Sequence, residues 1–288
     1  MPDTHTDTQR SWLSRTVLFL LFVFAGLGIF LPSMPYSAAL ADNFEFILRV
    51  CMIVVAVGIY FLLRSKERWS ELATLFLVLG LAAFAMTLGW QYGSFLLNAF
   101  DGDLQTMRGI ALAKAGSSAV ILLPIFLLLP LFYQRGVDLY LGLTRKGLIG
   151  LVVGTVAFIG FGIATFDPAY SDPDARIQLQ NMLPWILLFV FTNALMEEIL
   201  FRGLFLSIAT SLTGKHLSAV ATALVFTGAH LSVTYTPDVP VFLAILAGLG
   251  LIWAYLIVWS RSVWGSVVFH AGADLVILGG ILESMQII

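Results

Sequence analysis

Residues 183–206 read LPWILLFVFTNALMEEILFRGLFL, and this stretch decides the fold. A helix needs about 20 mostly apolar residues to cross the hydrocarbon core of a bilayer. This run is long enough, yet Glu197, Glu198 and Arg202 stand inside it. A charged side chain in lipid is expensive, and one that persists is held by partners or lines a wet cavity. The rest of the chain has the same character. Of its 288 residues 59% are hydrophobic and 11% charged, and the mean hydropathy is +0.95. Soluble domains carry roughly a quarter charged residues, so the composition excludes an ordinary soluble fold. A net charge of -2 provides no basic face for nucleic acid. The partner that the composition demands is the lipid bilayer.

Outward from this stretch, apolar runs recur with short polar breaks. They predict spans near 16–33, 46–64, 71–91, 116–134, 147–166, 183–203, 216–232, 240–260 and 263–282. The fold class is therefore all-α: a polytopic transmembrane helical bundle of about eight or nine spans, forming a single membrane domain. Within it, residues 1–15 read as an N-terminal tail, 16–166 as the N-terminal transmembrane helices and 183–282 as the part that carries chemistry. The first run follows Arg10 and Arg15 and reads as an uncleaved span, because the LPSMPYSAALA after it holds no decisive cleavage site. Arg49, near the start of the second span, is expected to snorkel to the interface. Cys51 reads as a small buried residue, without a partner for a disulfide or a zinc-finger spacing. Between the third and fourth spans, residues 92–115 read as a long loop, and 167–182 as a turn followed by a short interfacial helix.

Basic residues choose the orientation. With the N-terminus in the cytoplasm, its tail and the even-numbered loops hold Arg10, Arg15, Arg64, Lys66, Arg68, Arg135, Arg145, Lys146, Lys215 and Arg261. The opposite side holds only Arg108, Lys114 and Arg176. That imbalance favours nine spans with the N-terminus inside. Gly150 and Gly154 form a GxxxG on one face of the fifth span, a pattern of close helix packing.

The ionisable groups within the last four spans follow a pattern. Glu198 and Arg202 are four apart and share a helix face, with the acid preceding the base, so they can form an ion pair. Glu197 points about 100° away from Glu198, so the two acids cannot fill one role. A poorly solvated carboxylate free to face a cavity is suited to proton transfer near neutral pH. His230 ends the run LVFTGAH, four residues after Phe226. A lone His there reads first as a packed residue. His270 and Asp274 are four apart on one face of the last span, where the Asp can fix the imidazole tautomer or share a ligand. Bundles build polar sites from facing helices, and the economical reading is three helices converging on one wet cavity.

The order EExxxR, FxxxH, HxxxN or HxxxD resembles the CAAX-protease and bacteriocin-processing (Abi, CPBP) family of intramembrane endopeptidases. It is carried here by Glu197-Glu198 with Arg202, by Phe226 with His230, and by His270 with Asp274. The resemblance implies an Rce1-like catalytic core over roughly 183–282 and hydrolysis of a peptide bond in a membrane-associated or lipidated substrate. It makes Glu197 the general base, His230 its partner in activating water, and His270 with Asp274 the stabilisers of the oxyanion. Glu198, Arg202 and Phe226 would support them, with Arg202 holding Glu198 and the substrate's backbone or C-terminal carboxylate. The Asp variant of the third motif raises a difficulty, because an ionised Asp274 repels an oxyanion. It must be protonated, orient His270 or bind a metal.

No cofactor is required on the reading favoured here. The alternative is zinc on Glu197, His230, His270 and Asp274, although the HExxH motif of zinc proteases is absent. Two other functions fit parts of the pattern. A transporter also buries ionisable groups, but expects internal repeats that the sequence lacks. A non-catalytic regulator or immunity protein of the same family would not need the complete motif set. The expected location is the plasma membrane of a prokaryotic cell.

Overall fold

The computed structural model describes residues 11–30, 44–233 and 238–284. Arg10, most of the tail, and the LPSMPYSAALA stretch lie outside the described residues. Among those described there is no strand, and the chain is a bundle of helices. In order they are α1 (Trp12–Phe30), α2 (Phe44–Leu63), α3 (Ser70–Tyr92), α4 (Phe95–Ala99), α5 (Met107–Leu127) and α6 (Leu129–Gln134). They continue with α7 (Arg145–Tyr170), α8 (Pro173–Glu197), a π-helical segment (Glu198–Phe205), α9 (Leu206–Thr213), α10 (Lys215–Gly228), α11 (Val239–Ser260) and α12 (Trp264–Ser284). Eight of the described helical stretches are long and apolar enough to cross a bilayer, with α8, the π segment and α9 joined into one.

The expected seventh span, 216–232, is not among those eight. As α10 it has only 14 helical residues, about 21 Å at 1.5 Å per residue, against a core of about 30 Å. It nevertheless runs antiparallel beside α11. His216 meets Tyr255, Gly250 packs on Ala223, and His230 meets Phe242. α11 therefore begins at the end opposite to the start of α10. Among the described residues eight helical stretches are of spanning length, and α10 is a shorter helix packed beside them.

Two further boundaries differ from expectation. The fourth span begins nine residues early, at Met107, so Arg108 and Lys114 belong to α5 and not to a loop. Thr106 caps it, its hydroxyl accepting from the Gly109 N–H at 3.1 Å, and the run RGIALAKAG continues the helix with good formers. Likewise, 173–182 is the start of α8, with Pro173 at its first position and Asp172 accepting from the Asp174 N–H at 2.9 Å. Two side chains on α2 also differ. Arg49 is 2% exposed, so it is buried and does not snorkel, while Cys51 is exposed. An outer surface bathed in lipid has no need to hide a small apolar residue, so the expectation for Cys51, carried over from soluble cores, fails.

The N-terminal helices are not a separate body. Phe22 of α1 packs edge-on against Phe205 at 5.6 Å, and Phe30 stacks on Phe201 at 5.4 Å. At the end where α7 and α12 begin, the segment 135–144 closes the bundle. Leu139 and Tyr140 are buried in it, and Val263 N–H donates to the Tyr140 carbonyl at 2.8 Å. Trp264 donates to the Leu141 carbonyl at 2.9 Å, and Thr144 to the Ser260 carbonyl at 2.6 Å. Arg64, Arg135, Arg145, Lys215 and Arg261 all lie toward this end of the helix hairpins.

The contact that aims the last helix is between α7 and α12. Gly150 and Gly154 face Gly265, Phe158 faces Gly272, and Thr165 faces Gly279. Both numbers rise together, so the two helices are parallel. A Cβ on Gly154 would stand 2.2 Å from the Gly265 carbonyl oxygen, and one on Gly265 would stand 2.5 Å from the Gly150 carbonyl. These are backbone atoms, which cannot swing aside. The glycines of α12 recur every seven residues and bring the two backbones together, which turns Ser266, His270 and Asp274 to another face. Gly265→Ala should therefore destabilise the purified protein by about 1–3 kcal/mol. Gly160→Ala, at a position with open space around it, should change stability by less than about 0.5 kcal/mol. Equilibrium unfolding in mixed micelles measures both.

Candidate active site

Glu197 is the last residue of α8, and the π-helical segment begins at Glu198. Such segments widen the helix and often occur at functional sites. Here the ion pair expected from the four-residue spacing is present: an Arg202 guanidinium nitrogen lies 3.0 Å from Glu198 Oε1, and both side chains are fully buried. Glu198 has two more partners on α12. Ser266 Oγ donates to Oε2 at 2.5 Å, and His270 Nδ1 donates to Oε1 at 2.9 Å. Residues 266, 270 and 274 follow at intervals of four, so a single face of α12 serves the whole site.

The other ring nitrogen of His270 faces two acids. Nε2 lies 3.4 Å from Glu197 Oε2 and 3.6 Å from Asp274 Oδ1. Both nitrogens are thus directed at carboxylates. Trp253 of α11 stacks on the ring, with centroids 4.0 Å apart and planes at 13°. The same Trp and Phe226 flank Arg202, whose guanidinium carbon lies 4.2 Å from the Phe226 ring centre and 5.2 Å from that of Trp253. Cations held over aromatic faces gain attraction where water cannot reach them.

His230 sits just beyond the end of α10. Its Nδ1–H donates to the Phe226 carbonyl at 2.9 Å, which leaves Nε2 as the acceptor. With His270 and Asp274 it lines a cavity of about 180 Å³ between α11 and α12. The remaining walls are apolar, among them Phe242, Leu246 and Trp253. Ile245 and Val276, also on the walls, are exposed on the outer surface, so the cavity lies against the lipid-facing seam of these two helices.

The structure brings together Glu197, Glu198, Arg202, His270 and Asp274 through direct contacts, with Phe226 and His230 beside them. One expectation fails. Arg202 is fully buried and its remaining contact is the Gly250 carbonyl at 3.5 Å, so it cannot reach a substrate's carboxylate. The rings of Phe226 and Trp253 flank its guanidinium. Among the described residues no three His, Cys, Asp or Glu side chains form a metal-binding group.

Three participants escaped the sequence reading. Asn193 of α8 donates from Nδ2 to Asp274 Oδ2 at 2.9 Å. It lies one turn before Glu197 on the same face, a lone polar residue in an apolar run, and that spacing was a usable signal. Ser266, four before His270, was signalled in the same way. Trp253 carried no signal, because a Trp in a membrane helix is unremarkable until its neighbour is known.

Residues 179–276 match the family of type II CAAX prenyl endopeptidases, Rce1-like. The match covers about a third of the chain. It spans α8 from Leu179 through most of α12, and so contains every residue of the cluster. No curated protein and no solved structure matches the chain.

The buried ion pair and the exposed one should respond differently to loss of a partner. Arg202→Leu strands a carboxylate in the core and should destabilise by about 3–5 kcal/mol. Arg261→Leu breaks the solvent-facing pair with Asp138, 3.2 Å apart and 60% exposed on the Arg side, and should destabilise by less than about 1 kcal/mol. Denaturant titration of both variants in the same detergent provides the comparison.

Proposed function

We propose that the chain is an intramembrane endopeptidase that hydrolyses a peptide bond of a membrane-associated or lipidated substrate with a water activated by Glu197 and His230. The observation that carries this reading is the joint one: a cavity lined by His230, His270 and Asp274, with Glu197 against the same imidazole, inside a segment that matches a prenyl endopeptidase family.

The chemistry runs on this chain's own groups. His230, its Nδ1–H fixed on the Phe226 carbonyl, offers Nε2 to orient a water by accepting one hydrogen. Glu197 takes the water's other proton as its oxygen attacks the substrate carbonyl carbon. A C–O bond forms and the carbonyl oxygen takes the negative charge. His270, set among three carboxylates and stacked on Trp253, faces that oxygen as the positive group of the site. Glu197 then gives its proton to the departing amine as the C–N bond breaks, leaving an acid and an amine as products. Glu198 stays ionised throughout, held by Arg202, Ser266 and His270, and keeps His270 turned the right way. On this reading no step uses a metal.

The substrate enters from the bilayer on this reading, since the cavity abuts the seam of α11 and α12, where Ile245 and Val276 face outward. We assign the basic end of the bundle to the cytosol of a prokaryotic cell, by the excess of Lys and Arg there.

The test uses the protein reconstituted in liposomes and a quenched fluorescent peptide with a prenylated cysteine near its C-terminus, the class named by the matching family. Glu197→Gln should lower turnover by about 10²–10⁴-fold while the protein keeps its unfolding transition. If Glu197→Gln cleaves as fast as the wild type, Glu197 is not the base. If the folded wild type cleaves no peptide but binds one, the chain is a non-catalytic member.

A further inference from the structure

We propose that Asn193 is a catalytic residue that supplies the neutral N–H donor for the substrate's carbonyl oxygen, in place of residue 274. The inference rests on the peptidase reading and deepens it. The site holds a conflict of charge. The reacting oxygen becomes negative, and the two residues of the third motif are His270 and an acid. An ionised carboxylate aimed at that oxygen raises the barrier, and at short range in a dry site the repulsion is large.

The geometry removes the conflict. Asp274 stands on the cavity wall, but both of its oxygens face groups of the protein. One of its oxygens, Oδ1, lies 3.6 Å from His270 Nε2, and the other, Oδ2, accepts from Asn193 Nδ2 at 2.9 Å. Both lone-pair faces are turned to donors inside the protein. Asn193 is 7% exposed and Asp274 8% exposed, at the rim of the cluster and not in solvent. An amide nitrogen carries two hydrogens. Asp274 takes one, which fixes the plane of the carboxamide, and no described residue accepts the second. The Asn193 carbonyl oxygen is likewise buried without a hydrogen-bond partner in the protein.

A buried carboxamide with half its capacity unused is unstable as pure scaffolding, because each unmet polar group forfeits a hydrogen bond to water. It is sensible as a site that a substrate completes. The peptide carbonyl takes the free N–H. Position matters as well: Asn193 is one helical turn from Glu197 on the same face of α8, so the base and the donor stand on one rigid element. Asp274 then has a defined purpose. It anchors the amide and balances His270, and it presents the oxyanion with Asn193 and not with itself.

The experiment compares Asn193→Ala, Asn193→Asp, Asp274→Asn and the exchange Asn193→Asp with Asp274→Asn, on the same liposomes and prenylated-cysteine peptide. Loss of one oxyanion donor lowers kcat by about 10²–10³-fold, so Asn193→Ala should show that loss with KM changed less than threefold in protein that keeps a cooperative unfolding transition. Asn193→Asp, which sets two acids side by side, should be at least as inactive. The exchange keeps one amide, one acid and the bond between them, and should recover activity to within tenfold of the wild type. A structural role for Asn193 would move the unfolding midpoint of Asn193→Ala and leave kcat within threefold, and that result overturns the proposal. So does an exchange no better than Asn193→Asp alone. A wild type that cleaves, with Glu197→Gln inactive and Asn193→Ala fully active, overturns this inference and leaves the peptidase reading standing. A wild type that does not cleave overturns both.

Discussion

A carboxylate that neither water nor lipid can solvate must be satisfied entirely by protein, and Glu198 is where this chain meets that demand. Its two oxygens take Arg202, Ser266 and His270 at 2.5 to 3.0 Å. Those partners come from two elements far apart in sequence, the π segment after α8 and the face of α12. The bond set therefore does what a hydrophobic contact cannot do in lipid, where apolar surfaces have little preference for one another over the acyl chains. It fixes which face of α12 turns inward, and with it the place of His270 and Asp274. The glycine stripe on the adjacent face of α12 sets how close the helix stands to α7. Polar bonds set rotation, and small residues set distance.

The aromatic rings complete this arrangement. Arg202 and His270 are cationic or cation-like groups at the centre of an apolar bundle, and the acids nearby do not surround them. Phe226 and Trp253 fill the remaining sides with ring faces, whose negative quadrupole suits a cation and whose edges suit the core. Phe226 also supplies the backbone carbonyl that fixes the His230 tautomer. A single residue thus backs the buried ion pair with its ring and orients the candidate water-binding histidine with its main chain, which gives the spacing of Phe226 and His230 a physical reason.

How much was legible in the sequence depended on what each residue's neighbours were. The bundle was legible because apolar runs of spanning length have few other readings, and the Glu198–Arg202 pair because helix geometry alone brings residues four apart together. The start of α5 was misread because Arg108 and Lys114 were taken as loop markers, whereas a helix near the interface tolerates charges that reach its end. Arg202 was misread in reach: sequence gives its pairing, but not that Gly250, Phe226 and Trp253 close around it. Asn193 was missed although its spacing to Glu197 was in plain view, since an amide between apolar residues reads as neutral until an acid is found opposite it. Trp253 had no readable signal, because its stacking on His270 depends on how α11 crosses α12.

The short tenth helix joins the fold to the chemistry. A helix satisfies its backbone within itself and admits no water to its own hydrogen bonds, so a site that needs water at membrane depth is better served where a helix stops. α10 stops at Gly228, and the next turn is closed by its own bonds: His230 N–H to the Thr227 carbonyl at 3.0 Å, and Leu231 N–H to the Gly228 carbonyl at 3.2 Å. Irregular backbone at this depth is tolerable where it is buried in protein or lines a cavity, and the cavity is there, with His230 on its wall.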